Sequence, residues 1–239
     1  MIGTVTRTSG PVGLHADLLD KLGGLIAAGE LAEGQVLRTE ELEEHYGVSR
    51  TVAREAVRVL ESMGLVVSRR RVGVTVTPRA RWNVFDPTLI RWRLAGGGRA
   101  DQLRSLSELR AGFEPAAARY AAVRATPEQC GVLTRAVMEM AVQGRAGDLQ
   151  RYLEADVLFH RTLLAASGNE MFAALSDVVA EVLAGRTLHG LMPATPEPAA
   201  IRLHADGAQA VQARDADAAH RAMTEIITEA TGAMLADGS

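Results

Sequence analysis

Two groups of residues in this chain carry side-chain types and spacings suited to chemistry. Asp156 and His160 stand four positions apart. On an α-helix that spacing puts a carboxylate and an imidazole on one face. His204 follows on a later helical segment able to pack alongside. A carboxylate with two imidazoles inside a helical bundle suits a divalent metal such as Zn, Ni or Mn; taken alone, the same spacing also occurs as solvated surface charge. The second group is Ser49, Arg50, Thr51 and Arg54. Arginine is shaped to bridge guanine O6 and N7, while hydroxyls and helix N-terminal amides suit phosphate. The plain alternative is a solvated arginine face on a structural helix.

The elements that would position these residues fall into two sets. Leu14 to Gly29 reads as a first helix, with apolar residues on one stripe and a terminal glycine. Thr39 is the expected N-cap of a short second helix, Glu40 to Tyr46, closed by Gly47. Ser49 is expected to cap a third helix running through Met63, which Gly64 stops. Leu65 to Val67 and Val74 to Val76 read as a hairpin around a basic turn, with Gly73 at its tip beside Arg70 and Arg71. A helix-turn-helix followed by a basic ribbon is the outline of a winged DNA reader, whose second helix enters the major groove by its N-terminal end.

From Pro78 to Pro87 the pattern is that of a linker, and beyond Leu89 only helix signals occur. The periodicity predicts helices over 88–95, 100–123, 126–143, 147–167, 170–189, 197–214 and 215–235. The breaks include Gly96 to Gly98, Gly168-Asn169 and Pro193 to Pro198. Short connections between helices of this length imply an antiparallel bundle. The expected division is a winged helix-turn-helix over 1–78, a linker over 79–99 and a helical effector-binding and dimerisation domain over 100–239. The fold class is therefore mainly α.

A net charge of −3 does not by itself advertise a nucleic-acid partner. Residues 49–81 nevertheless hold eight arginines against Glu55 and Glu61, a balance of +6, so the remainder carries −9. That asymmetry orients one face toward a polyanion and argues against a structural nucleoid protein. No apolar run reaches the 18 to 20 residues or so that span a bilayer. Met1 to Val12 has no apolar core of a signal peptide, and the single Cys130 fits a reducing compartment, so a cytoplasmic protein is expected.

Residues 14–78 resemble the winged-helix domain of the GntR transcription factors, in Val48-Ser49-Arg50-Thr51, Arg54-Glu55-Ala56, Leu60, Gly64-Leu65 and Gly73. The resemblance implies DNA contacts from Arg38, Thr39, Ser49, Arg50, Thr51, Arg54, Arg71 and Gly73. Arg38 takes the place of an arginine that the family often carries where this chain has Glu40. Residues 100–235 resemble the FCD effector domain of the FadR-type subgroup, in Glu108-x-Arg110-x-x-x-Glu114, Ala117 to Ala122 and Asp156-x-x-Phe159-His160. There an aspartate and three histidines commonly hold a metal that a carboxylate effector completes. Asp156, His160 and His204 match three of the four, and the fourth position falls near Ile226; His220 is six residues earlier, off that face.

The stretch Trp82-Asn83-x-x-Asp86-x-x-x-x-x-Trp92-x-Leu94 is similar to that of galactonate-responsive members, implying a sugar acid as effector. Arg110 is the candidate for its carboxylate, since guanidinium grips carboxylate bidentately; an intrahelical pair with Glu114 or Glu108 is the competing reading. The expectation is a homodimeric repressor of a sugar-acid operon, bound to an inverted repeat of double-stranded DNA. The alternative from another class is a metal-dependent enzyme using Asp156, His160 and His204. It lacks a general base at motif spacing, a nucleophile elbow and a phosphate loop.

Overall fold

The computed structural model describes residues 11–190 and 196–236. The opening of the break expected at Pro193 to Pro198 lies outside the described residues. After Gly98 the chain divides into two units.

The first unit runs α1 (Pro11–Ala28), β1 (Val36–Leu37), α2 (Thr39–Tyr46), α3 (Arg50–Ser62), β2 (Val66–Arg69), β3 (Gly73–Val76) and α4 (Pro87–Ala95). The sheet is antiparallel in the order β1-β3-β2, with Val66 opposite Val76 and Arg69 opposite Gly73. Leu18, Leu22 and Ile26 of α1 meet Ala53, Ala56 and Leu60 of α3 in one core, with Leu65, Val74 and Val76 beneath. Each large aliphatic side chain buried there is worth roughly 1.5–3 kcal/mol. Strand β1 was not expected, because two residues are too few to show a period of two; it exists through its pairing with β3.

Three sequence expectations need correction here. Helix α2 starts at Thr39 rather than Glu40, and the extended Arg38 (φ −99°, ψ 133°) is its N-cap, with no side-chain cap bond. Gly73 is not at the tip of the ribbon, which is made by Arg70 to Val72 with Arg71 in the left-handed region at φ 67°. Gly73, at φ 116°, instead lies under β1, where an added Cβ would sit 3.1 Å from the Leu37 carbonyl oxygen.

The third concerns the linker expected over 79–99: residues 79–98 belong to the first unit, and the helix expected over 88–95 is α4. Arg79–Arg81 makes one 3-10 turn, and Asp86 then caps α4 by accepting from the amides of Thr88 and Leu89. Trp82 Nε1 donates to the Thr77 carbonyl at 3.3 Å, and Trp92 Nε1 donates to Asp20 of α1 at 3.0 Å. Both rings are buried.

The second unit contains α5 (Arg99–Arg124), α6 (Pro127–Ala146), α7 (Leu149–Ala166), α8 (Glu170–Ala174), α9 (Ser176–Leu188), α10 (Pro198–Gln212) and α11 (Ala216–Ala236). Short turns fold α6 back on α7 and α10 on α11, while α11 and α7 both lie against α5, and α9 lies against α7. Thr126 and Gln129 form a reciprocal capping box at the start of α6, and Asp148 caps α7. The single helix expected over 170–189 is two. The Ser176 hydroxyl donates to the Ala173 carbonyl at 2.6 Å, and the Leu175 amide donates to the Phe172 carbonyl at 3.1 Å. These tight local bonds compete with the helical ladder and break it at Leu175. Among the described residues no helix is long and apolar enough to cross a membrane.

Gly23 of α1 lies against the Trp92 ring so closely that an added Cβ would overlap it. Gly23→Ala is therefore expected to destabilise the first unit by about 1–3 kcal/mol, as overpacking does. Urea denaturation followed by tryptophan fluorescence measures this; an unchanged midpoint would show that Trp92 is not seated on α1.

Candidate nucleic-acid interface and buried His–Asp cluster

The interface is built from the turn between α2 and α3. Gly47 closes α2 in the left-handed region, at φ 62°. Ser49 then adopts an extended conformation and its Oγ accepts from the Val52 amide at 3.4 Å, starting α3. Because Oγ accepts that bond, its own proton is still free to donate outward. Val52 packs against the core, and Ala53, Ala56, Val57 and Leu60 are buried. The helical period then turns Arg50, Thr51 and Arg54 to solvent, where all three are exposed. Thr39, Glu40, Arg50, Arg54, Arg58, Glu61, Ser68 and Val74 line one hollow beside this helix. Arg58 is engaged by Glu55 at 2.5 Å. The Glu61 carboxylate accepts from the Ser68 amide at 2.5 Å, fastening the ribbon to α3. Arg38 and Arg71 are exposed, whereas Thr39 and Gly73 are half-buried. Arg38 stands 4.0 Å from Glu41.

The second site lies inside the bundle. Helix α7 supplies Asp156 and His160, α10 supplies His204, and one donor atom from each lies within 4.8 Å of the others. All three side chains are buried, so the surface-charge reading of this spacing is excluded. Helix α5 adds a second layer: Glu114 Oε2 is 2.7 Å from His160 Nδ1. Arg110 Nε donates to Glu114 Oε1 at 2.5 Å, and its Nη2 lies 3.4 Å from Oε2. The guanidinium expected to meet an effector thus already has a carboxylate, as the intrahelical reading has it.

The donor set fits a divalent cation. The Ala200 carbonyl, 2.7 Å from His204 Nδ1, can only accept, so Nδ1 carries the proton. In a neutral ring Nε2 is then a lone pair. In His160 the Glu114 carboxylate fixes the same tautomer. Both Nε2 atoms point toward Asp156 Oδ1, at 3.4 and 3.3 Å, and none of the three makes an aligned hydrogen bond. Three convergent acceptors without donors call for a shared positive charge, either a metal ion or protons on the imidazoles. Asp156, His160 and His204 would hold such an ion, which would supply a Lewis-acidic point for an anionic ligand. Ile226 is buried in the apolar cluster with Phe159 and Val211, and His220 takes no part in the cluster.

The electrostatics agree with the geometry. Burial pushes the Glu114 carboxyl up, but Arg110 and His160 outweigh it and hold it near 2. Burial likewise opposes ionisation of Asp156, and His160 and His204 overcome it, leaving that carboxyl well below its ordinary range. For His160 burial opposes the imidazolium, yet the Glu114 and Asp156 carboxylates raise its pKa above 6.5. Sequence reasoning missed the link from Glu114 to His160, which joins residues 46 positions apart and leaves no local signal. It missed Arg186 as well, a buried residue of α9 whose type alone suggested surface.

Residues 14–76 match the model of the bacterial regulatory proteins of the gntR family, and residues 105–229 match that of the FCD domain. The chain belongs to the GntR family. It is a transcriptional regulator with an FCD domain, not an enzyme. It is 30% identical over 214 residues to the galactonate operon transcriptional repressor of Escherichia coli K12, covering 88% of this chain and 92% of that protein. To the transcriptional repressor NanR of Cronobacter sakazakii it is 31% identical over 218 residues, 85% of this chain and 78% of that protein. A Streptococcus agalactiae GntR structure superposes with a TM-score of 0.51 at 27% identity, covering 91% of this chain and 99% of that one.

Removing Glu114 would leave Arg110 buried without a counter-ion and His160 without its orienting acceptor. Glu114→Ala is expected to cost about 3–5 kcal/mol, the usual penalty for breaking a buried ion pair. Urea denaturation followed by circular dichroism of the helices checks it; a loss under about 1 kcal/mol would mean water reaches the pair.

Proposed function

We propose that this regulator is a homodimeric repressor that binds an inverted repeat of double-stranded DNA and is released by a sugar acid bound in its FCD bundle. Arg50 and Arg54 reach base edges. Ser49, Thr51, Arg38 and Thr39 meet the phosphate backbone, and the ribbon tip carrying Arg71 approaches the adjacent groove. The observation that carries this reading is the outward presentation of Arg50 and Arg54 from a helix whose other face is sealed in the core. The bundle supports the second half: a buried set of acceptors in a second unit is surplus to reading DNA. The similar E. coli protein is named for the galactonate operon, which supports an aldonate as ligand class. A divalent metal, of which Zn, Ni and Mn suit the ligands, sits on Asp156, His160 and His204 in this reading, with the acid beside it.

Arg50→Ala or Arg54→Ala should weaken operator binding by about 1–3 kcal/mol per half-site, as loss of a bidentate guanine contact does. A gel-shift titration at fixed salt measures it, and unchanged affinity would remove these residues from base readout.

Metal and proton compete for the same imidazole. Because the His160 pKa is raised, its contribution to metal-free stability is present below pH 6.5 and is lost as pH rises through the folded value. Metal requires the neutral ring, so apparent metal affinity should climb with pH over the same interval. Thermal melts of chelated protein with added Zn²⁺ or Mn²⁺, at pH 6 and pH 8, are expected to show stabilisation that grows with pH and is absent in Asp156→Ala. Equal melting temperatures with and without metal at both pH values would sink the metal assignment.

A further inference from the structure

The bundle interior holds two buried arginines among the described residues, and they differ in one respect. Arg110 is matched by Glu114, which takes its Nε and faces its Nη2. Arg186 of α9 is 8% exposed, and its buried Nε donates to nothing. A buried donor without a partner is expensive, and a buried cation without one more so. Helix α9 packs on α7, the helix that carries Asp156 and His160. Burial depresses the Arg186 pKa, and of the charges acting on it the Asp156 carboxylate pushes back first, while Arg110 repels it. Its guanidinium therefore sits within the field of the His–Asp cluster.

Charge balance points the same way. With a divalent ion on neutral imidazoles, the interior carries +2 from the metal and +1 each from Arg110 and Arg186. Against this stand −1 each from Glu114 and Asp156. The sum is +2, an excess that a low-dielectric interior does not hold without an anion. Glu229 of α11 acts on Arg186 but is only half-buried. The buried Ser107 Oγ also lacks a partner. It lies one turn before Arg110 on the same stripe of α5 and suits an alcohol.

We propose that Arg186, rather than Arg110, is the anion receptor of this bundle: its guanidinium takes the carboxylate of a polyhydroxylated acid whose hydroxyls extend toward Ser107 and the Asp156–His160–His204 cluster. Arg110 acts instead as a positioning residue, holding Glu114 so that Glu114 orients His160. This deepens the reading of the bundle as a sugar-acid sensor and rests on it.

The test uses the full chain loaded with Mn²⁺ or Zn²⁺ and titrated with D-galactonate, D-gluconate and the neutral alditol galactitol, read by thermal shift and calorimetry. Wild type should bind an aldonate and ignore galactitol. Arg186→Met should keep the metal-induced shift but bind the aldonate about 10- to 150-fold more weakly, as loss of a charge-assisted hydrogen bond implies. Arg186→Lys, which keeps the charge and loses the planar fork, should fall between, and it decides the matter if circular dichroism shows Arg186→Met unfolded. Wild-type affinity in the folded Arg186 variants would overturn the receptor role while leaving the sugar-acid reading intact. Galactitol binding as tightly as the aldonates would overturn it as well. No response of the metal-loaded wild type to either aldonate would remove the sugar-acid reading, and the receptor with it.

Discussion

The bundle is organised around one carboxylate. Glu114, wholly buried, serves Arg110 with both oxygens and His160 with one of them, Oε2. Neither cation nor anion could be kept away from water alone, since each desolvated charge costs several kcal/mol. Together they form a chain whose far end, His160 Nε2, is aimed at Asp156. Phe113, Ala117, Leu153, Leu164 and Val179 pack into one apolar cluster of the same bundle. Phe159 meets the rings of both His160 and His204 edge-on. The orientation of His160 is thus set by helix α5, although no residue of α5 belongs to the Asp156–His160–His204 cluster.

The first unit solves a different problem. It has to keep a recognition helix rigid while leaving one of its faces bare. Three devices share that work: the Ser49 cap at the start of α3, the Glu61–Ser68 bond from its last turn to the ribbon, and the α1–α3 core between them. The tryptophans of the segment after the ribbon extend that core, so α4 belongs mechanically to the DNA-binding unit.

Much of this was legible in the sequence where the determinants are local. The Gly47 turn, the Ser49 cap, the break at Gly168-Asn169 and the helical periods of α3, α6 and α7 are short-range patterns, and the structure has them. Asp156 and His160 were found because four residues is one helical turn; His204 was found as an imidazole on a later helical segment, and family likeness matched it to the same ligand set. What escaped depended on distant partners. Strand β1 needs β3, the packing of Trp92 needs Gly23, and the role of Glu114 needs a histidine on another helix. The split at Leu175 escaped because a serine hydroxyl bonding backward leaves the apolar period intact. Arg186 escaped because arginine is ordinarily a surface residue, and nothing in its neighbours announces burial.

Ile226, in the place where a fourth ligand is expected, has a consequence for what the bundle would report. Three protein donors grip an ion less tightly than four, and an oxygen of the proposed acid would serve as a further ligand to such an ion. Ion and acid would then reinforce each other's affinity by the same factor, as reciprocal linkage requires. Were the proposed ion and acid both bound, the bundle would act as a coincidence detector, answering to the acid only in the presence of the ion.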